Sequence, residues 1–191
     1  MSTRDRILDA AAEILRTRGV AQATTKEIAH ATGVSEPTLY KYFGDKERLL
    51  LAVLQERVPG PSRVTITAGA GTVEDNLTEL VEATLEFYQR SIPMLGALLA
   101  DPQRMATHRE AMRRHGAGPD RAAEAFAGYL RAEQDLGRIT ATADPHVAAL
   151  LLNGACFHEA FLRYYAGGPD ADAAPRSYAE ALVRSMAAPL L

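Results

Sequence analysis

With 191 residues, the chain is long enough for one large domain or two small ones, each with a buried core. An apolar fraction of 47% and a charged fraction of 24% are typical of globular proteins and exclude global disorder, and a formal net charge of −3 excludes a bulk polycation. Because Cys156 is the only cysteine, an internal disulfide bond and a zinc site built from several thiolates are also excluded.

Neither a membrane-spanning segment nor a secretion signal is apparent in the sequence. The longest apolar runs fall far short of the roughly 18 residues that a spanning helix needs. Charged side chains interrupt the N-terminal residues throughout, which is unlike a signal peptide. We therefore expect a cytoplasmic protein without a membrane partner.

Charge is divided unevenly along the chain. Residues 1–57 carry nine basic and eight acidic side chains, whereas residues 58–191 carry twelve basic and sixteen acidic ones. All three lysines, Lys26, Lys41 and Lys46, lie in the first part. Because the local potential guides contact with a charged polymer, this part can bind an anionic partner despite the acidic total.

Four helices are predicted in the N-terminal part. Apolar side chains at helical spacing predict the first over residues 3–18, with Gly19 as its end. Each of the next three begins after a residue whose side-chain oxygen can cap backbone amides: Thr24, Ser35 and Asp45. The fourth helix is expected to end near Arg57.

Residues 58–73 contain two prolines and three glycines and form the clearest break in composition. This break predicts a boundary between a domain of residues 1–57 and a domain of residues 58–191. The sequence leaves open whether the segment is ordered.

Further helices, separated by proline and glycine, are predicted over 74–90, 92–100, 103–115, 119–136, 144–166 and 173–187. Asp144 and Pro145 are typical of a helix start, and the chain is predicted to be all-α with about nine or ten helices.

Residues 25–44 read TKEIAHATGVSEPTLYKYFG, which is a helix-turn-helix pattern: two short helices joined by a glycine-containing turn. The apolar side chains expected to face the first helix are Ile28, Ala29, Val34, Leu39 and Phe43. The opposite side of the second short helix can then enter the major groove of DNA. The side chains expected to read bases there are Glu36, Pro37, Tyr40 and Lys41.

Other polar residues of the motif lie where contacts with the DNA backbone are expected. Thr25 begins a helix, where free amides and the helix dipole favour a phosphate. Lys46 lies in the first turn of the fourth helix, where an external anion would balance its charge. The predicted set is completed by Ser35, Thr38 and Tyr42. The alternative for the tyrosines is that they cover the core. Arg4 and Arg6 are interpreted as solvated first-turn residues, with contact to the DNA backbone as the alternative. His30 is interpreted as an exposed helix residue, with base reading as the alternative.

Residues 7–54, and above all GVSEPTLYKYFGDKERLL, resemble the N-terminal DNA-binding domain of the TetR family of transcriptional regulators (tetracycline-repressor-like, AcrR-type). The match includes the Gly-Val-Ser turn, the string from Thr38 to Phe43 and the Lys-Glu-x-Leu-Leu sequence that begins at Lys46. It covers about a quarter of the chain, and the rest matches in helix number and order. The resemblance implies a three-helix DNA-binding domain, joined by a fourth helix to a C-terminal helical bundle for ligand binding and dimerisation.

The resemblance also implies a homodimer that binds a palindromic double-stranded DNA operator and releases it when a small-molecule effector binds. Effector binding would act by moving the fourth helix. We expect no cofactor and no catalytic activity. Two alternatives stay open: a regulator of the same fold that activates transcription or needs no effector, and an all-α enzyme whose N-terminal helices only pack.

A ligand pocket in a helical bundle needs apolar walls and a few polar anchors. The candidate ligand-binding residues are Phe87, Met94, Met105, His108, Met112, Phe126, Asn153, Phe157, Phe161 and Tyr164. Core packing is the alternative for the aromatic residues among them. No metal site is expected: His108 and His115 are seven residues apart, and Cys156 and His158, two apart on a helix, point in different directions.

The predicted helices 119–136 and 144–166 are rich in alanine, and small side chains permit close approach of helices. The resemblance implies that this pair forms the dimer interface, although high helix propensity also explains alanine. The alanines concerned are Ala122, Ala123, Ala125, Ala127, Ala148, Ala149, Ala155 and Ala160.

Overall fold

The computed structural model describes residues 1–57, 60–61, 64–114 and 118–190. These residues form nine α-helices and no strand, which confirms the all-α prediction. The helices are α1 Thr3–Gln22, α2 Thr25–Thr32, α3 Glu36–Phe43, α4 Lys46–Glu56, α5 Val73–Leu99, α6 Pro102–Arg114, α7 Arg121–Asp135, α8 Pro145–Gly167 and α9 Arg176–Leu190. The residues just after the predicted boundary at Arg57, and also His115, lie outside the described residues.

The predicted capping residues stand at the starts of their helices. In α2, α3, α4 and α8 a side-chain oxygen accepts a hydrogen bond from a first-turn amide: that of Thr24, Ser35, Asp45 and Asp144. The first amides of a helix have no acceptor within it, so these oxygens stabilise the helix start. The caps matter most for α2 and α3, which have only eight residues each.

The predicted end of the first helix is wrong. α1 continues past Gly19 to Gln22. A glycine inside a helix costs only about 1 kcal/mol relative to alanine, and the residues that follow it contain no proline to stop the helix.

The predicted helices 74–90 and 92–100 are one helix, α5, with Pro93 in its interior. Proline removes a single backbone hydrogen bond, to the carbonyl four residues earlier. The buried side chains of Ile92 and Leu98 stabilise the turns on either side, so the helix continues.

By their contacts the helices form two compact units. The first unit comprises Met1–Pro59 and Arg90–Gly118, and contains α1 to α4, the end of α5, and α6. The second comprises Gly60–Gln89 and Pro119–Leu191. The division of function at residue 57 stays a prediction.

The core of the first unit joins α1 to the three helices that follow. Its buried apolar side chains include Ile7, Leu8, Ala11, Ile14, Ile28, Leu39, Phe43, Leu49 and Val53. Arg57 strengthens the same arrangement, because it donates from Nε to Asp9 Oδ1 (2.6 Å) and from Nη2 to Asp5 Oδ1 (3.0 Å). The end of α4 is thereby held against α1.

In the second unit, residues 64–72, which we call the strap, pack on the helical core. Val64, Ile66 and Ala68 are half-buried against that core, whereas Thr65 and Thr67 are exposed. This alternation is typical of an extended chain with one covered side.

The polar end of the strap is fixed to α7 and to the residues after it. Gly69 N–H donates to Glu133 Oε1 (3.2 Å), and Arg138 Nη2 donates to the carbonyl of Gly71 (2.6 Å). The described part of the composition break is therefore anchored to the second unit.

Candidate nucleic-acid interface and ligand clefts

The turn between α2 and α3 depends on Gly33. Its φ of 69° lies in the left-handed region, which glycine adopts without steric cost. Gly33 N–H donates to the carbonyl of His30 (3.2 Å), and Val34 N–H to that of Ala29 (3.1 Å). These bonds end α2 just before Ser35 starts α3, as the helix-turn-helix pattern predicts.

Burial decides which side of α3 is open. Ile28 and Leu39 are fully buried, and Phe43 is nearly so. The opposite side is accessible, with Tyr40 42% and Tyr42 46% exposed. The other predicted DNA-contacting residues of this region are exposed (Ser35, Pro37, Lys41) or half-buried (Thr25, Glu36, Thr38, Lys46). α3 thus has one anchored face and one open face, as a helix needs in order to enter a major groove.

Three of the predicted DNA-contacting residues meet between α2 and α3. Thr25 Oγ1 donates to Glu36 Oε2 (2.8 Å) and lies 3.3 Å from the Tyr40 hydroxyl. This cluster fixes the start of α2 against the start of α3. The carboxylate of Glu36, predicted to read bases, is therefore engaged by the protein's own threonine.

Lys46 lies half-buried in the first turn of α4. Burial lowers the pKa of its ammonium, the nearby positive charge of Arg104 lowers it further, and Glu47 opposes both effects. Within the described residues no carboxylate oxygen comes within 4 Å of its nitrogen. A cation at a helix start without a close carboxylate partner is suited to an external anion.

Arg4 and Arg6 have partners inside the chain. Arg4 donates to both carboxylate oxygens of Glu56, at 2.7 and 2.6 Å, and its guanidinium lies 5.4 Å from the centre of the Phe43 ring. Arg6 donates to the carbonyl of Thr32. Both arginines therefore have a structural role in the first unit.

The candidate ligand residues are distributed over both units. The first unit contains Met94, Met105, His108 and Met112, and the second contains Phe87, Phe126, Asn153, Phe157, Phe161 and Tyr164. Phe126 is completely buried in the core of the second unit. Asn153 Oδ1 accepts a hydrogen bond from the Tyr88 hydroxyl (2.8 Å), and the Phe157 ring lies edge-on to that of Tyr88, with 5.3 Å between centres.

Among the described residues, each unit contains a cleft. The first, of about 280 Å³, lies among α1, α4 and α5 and includes Met94 in its wall. The second, of about 370 Å³, is lined by Pro61, Val64, Ile66, Ala68, Leu80, Ala125, Gly128, Tyr129 and Ala132. Of the ten candidate ligand residues, only Met94 lines either cleft. Two sequence signals point to the second cleft: the alternating apolar residues of the strap and the small residues of α7 at helical spacing.

His108 faces α4 within the first unit. Its Nδ1 lies 3.9 Å from Glu47 Oε2, an oxygen that is buried and accepts no hydrogen bond from the described residues. Burial lowers the pKa of His108, and the Glu47 carboxylate opposes that shift. This pair joins α6 to the first turn of α4.

Cys156 is completely buried, and burial raises the pKa of its thiol to about 12. A thiol with so high a pKa stays protonated and unreactive near neutral pH.

Among the described residues no three His, Cys, Asp or Glu side chains gather as a metal site would require. No helix in the same part of the chain is both long and apolar enough to cross a membrane.

One side of α8 exposes large apolar side chains. They are Val147, Leu150, Leu151, Phe157, Phe161, Leu162 and Tyr165. The alanines expected at a dimer interface differ from these, because six of the eight are buried within the chain's own core: Ala122, Ala123, Ala127, Ala148, Ala149 and Ala160. These six alanines therefore pack inside the chain, and the dimer interface of this helix pair stays a prediction.

Comparison with known proteins gives matches along most of the chain. Residues 7–53 match bacterial regulatory proteins of the tetR family, and residues 75–188 match the C-terminal domain of AefR-like transcriptional repressors. The chain is 47% identical over 55 residues to the HTH-type transcriptional activator FasR of Mycolicibacterium smegmatis, which is 29% of this chain and 25% of FasR. It is 31% identical over 90 residues to the HTH-type transcriptional repressor AcnR of Corynebacterium efficiens, covering 47% of this chain and 44% of AcnR. The chain thus spans less than half the length of either curated relative.

The fold recurs in solved structures. A TetR-family transcriptional regulator from Mesorhizobium loti superposes with a TM-score of 0.72 and 23% sequence identity, covering 98% of this chain and 96% of that one. At this identity the likeness establishes a shared fold.

Proposed function

Because the chain belongs to the TetR family of bacterial transcriptional regulators, we propose that it binds operator DNA as a homodimer and represses transcription until a small molecule binds. The observation that carries this proposal is α3, whose buried face is anchored while Tyr40, Lys41 and Tyr42 stay open. One short helix contacts few base pairs. Specific binding therefore requires a second copy, with the two recognition helices about 34 Å apart on one side of the DNA.

The exposed side chains of α3 support both kinds of DNA contact. Lys41 can donate to guanine, and Pro37 and Tyr40 can contact base edges. Thr25 donates to Oε2 of Glu36, which leaves Oε1 able to accept from cytosine, so we assign Glu36 both to holding α2 and α3 together and to base contact. The residues assigned to phosphates are Thr25, Ser35, Thr38, Tyr42 and Lys46.

We assign the dimer interface to the exposed apolar side of α8. Its large side chains recur at three- or four-residue intervals along much of the helix, with the exposed Gly154 among them. An apolar face of this length is unfavourable in water and is typical of an interaction site. A second copy of the same helix would bury it symmetrically.

We assign the effector to the second unit. Its cleft between the strap, α5 and α7 has apolar walls with Tyr129 among them, and about 370 Å³ suits a small, mainly apolar molecule. None of the ten candidate ligand residues lines this cleft, so their contact with an effector stays a separate prediction. Release of DNA requires that the effector bind more tightly to a conformation that fits the operator poorly.

We further propose that the chain acts in the cytoplasm, where bacterial DNA is located, and without catalysis. Incubation of the protein with candidate effectors should return them chemically unchanged, as judged by mass spectrometry. Turnover of an effector would contradict this part of the proposal.

Selection of DNA from a random-sequence duplex library, followed by gel shift, tests the proposal. We expect a palindromic sequence whose affinity for the protein falls steeply as salt rises. Tyr42→Phe and Lys46→Ala should each weaken binding while circular dichroism remains that of the wild type. Absence of any selected sequence would refute the function, whereas unchanged binding in both variants would refute only the phosphate assignments.

Activation is a second candidate, because the chain is 47% identical over 55 residues to the HTH-type transcriptional activator FasR. The position of the bound DNA site relative to the promoter distinguishes repression from activation. A footprint that overlaps the promoter elements indicates repression, and one upstream of them indicates activation.

A further inference from the structure

α6 presents two side chains to the first turn of α4. His108 Nδ1 lies 3.9 Å from Glu47 Oε2, and Arg104 precedes His108 by four residues. Residues four apart on a helix lie on one face, a turn from each other. Arg104 therefore lies on the α4 side of α6, at the level where Lys46 precedes Glu47. All four residues belong to the unit that contains the helix-turn-helix.

Arg104 and Lys46 form a cationic pair whose charges are only partly compensated, by Asp101 and Glu47. The charge of Arg104 is close enough to lower the pKa of Lys46. Asp101, whose Oδ2 lies 3.6 Å from Arg104 Nε, is the only carboxylate within 4 Å of either cation among the described residues. The Arg104 side chain remains 38% exposed. Asp101 and Glu47 offset only part of the repulsion between these two neighbouring cations, and an external anion would relieve the remainder.

We propose that Arg104 is a DNA-backbone contact: its guanidinium and the ammonium of Lys46 bind neighbouring phosphates of the operator, so that α6 takes part in DNA binding directly. This inference rests on the proposed function, because it requires Lys46 to lie at the DNA backbone. A guanidinium donates two parallel hydrogen bonds to a phosphate, and Asp101 orients it through Nε. The helix-turn-helix residues would then read the sequence, and Arg104 would add affinity independent of sequence.

The position of this contact has a consequence for regulation. Arg104 belongs to α6 and not to the helix-turn-helix, so a shift of α6 would remove a phosphate contact even if α3 did not move. Effector binding that displaced α6 would therefore weaken DNA binding directly, through loss of the Arg104 contact and without movement of α3. By reciprocal coupling, bound DNA would favour the position of α6 that keeps Arg104 in contact.

Salt titration with Arg104→Ala tests the inference. The probe is the fluorescein-labelled duplex that the wild type selects from a random library, and fluorescence anisotropy gives Kd at a series of KCl concentrations. We expect binding about tenfold weaker at the lowest salt, and a slope of log Kd against log[KCl] smaller by about 0.9 for each phosphate that the variant no longer neutralises. Arg109→Ala is the matched control, because Arg109 is an exposed arginine of the same helix on a different face. Arg109→Ala should leave both the Kd at the lowest salt and the slope of log Kd against log[KCl] unchanged.

Arg104→Lys, which keeps the charge, should retain most of the slope. If Arg104→Ala alters the fold by circular dichroism, Arg104→Gln provides the same comparison with the packing of the stem preserved. Wild-type affinity and slope in the uncharged variant, or tighter binding through relief of repulsion with Lys46, would overturn the inference. Failure of the wild type itself to bind DNA would instead overturn the proposed function.

Discussion

At the scale of single residues, Gly33 sets the geometry on which DNA reading depends. Gly33→Ala should lower the free energy of unfolding by about 1–2 kcal/mol, because an L residue at a φ of 69° is strained. A Cβ there would meet no atom within 4 Å, so the cost is conformational and not steric. Urea denaturation of the purified protein measures it.

Gly96→Ala is the matched control. Gly96 lies inside α5, and an added Cβ there also meets nothing within 4 Å. Its substitution should raise stability by about 0.5–1 kcal/mol, because glycine is the poorer helix former. Equal effects of the two substitutions would show that the conformation of the turn does not limit stability.

The sequence predicts the hydrogen bonds of a side chain well where the bonded partner lies only a few residues away along the chain. The caps Ser35 and Asp45 act on amides three residues later, so local spacing reveals them. The hydrogen bond between Thr25 and Glu36 was not predicted, because it joins two helices and depends on the angle between them. Chemistry alone suggested that Glu36 reads bases, whereas packing also gives it a partner inside the protein.

At the scale of elements, a buried polar cluster holds the strap on α7. Glu133 is completely buried, with Oε1 accepting from the Tyr129 hydroxyl (2.7 Å) and from Gly69 N–H (3.2 Å). Its Oε2 lies 3.4 Å from Arg138 Nε. Burial is the main reason that the pKa of Tyr129 is raised, and the hydrogen bond to Glu133 adds to it. The phenol therefore stays protonated and donates to the carboxylate.

Glu133→Ala should destabilise the protein by about 3–5 kcal/mol, because it leaves buried donors and the Arg138 charge without their acceptor. Amide hydrogen exchange should accelerate in residues 64–72, which lose their anchor. Glu133→Gln keeps an acceptor for Tyr129 and should cost less.

Glu124→Ala is the control on the same helix. Glu124 is exposed, so its removal should change stability by no more than about 0.5 kcal/mol. Unaltered exchange in the strap of the Glu133→Ala variant would show that the apolar contacts of Val64 and Ile66 hold the strap without the polar cluster.

The sequence predicts the helices but not the strap. Every predicted helix is present, because periodicity and caps are local signals, and the errors are confined to helix ends and to the junction at Pro93. The strap was not predicted, because its alternation is only five residues long and its anchor Glu133 lies 64 residues further along the chain. The second cleft was missed for the same reason, since its walls come from three separate segments.

At the scale of the whole molecule, the exposed side of α8 provides the argument for two copies. Leu151 is 57% exposed on this side. In a two-fold interface each substitution occurs twice, so Leu151→Glu would place two carboxylates in an apolar contact. Each buried, unpaired charge costs several kcal/mol, and we expect dimer affinity to fall at least about a hundredfold.

Leu99→Glu is the matched control, because Leu99 is 68% exposed on α5 and lies outside the proposed interface. Light scattering after size exclusion should give a dimer for the wild type and for Leu99→Glu, and a monomer for Leu151→Glu at micromolar concentration. The monomer should bind a half-site like the wild type but lose the added affinity for the full palindrome, since only a linked pair of α3 helices engages both halves at once. If the Leu151→Glu protein remained dimeric, the dimer interface would not lie on α8, and the apolar side of α8 would bind another partner.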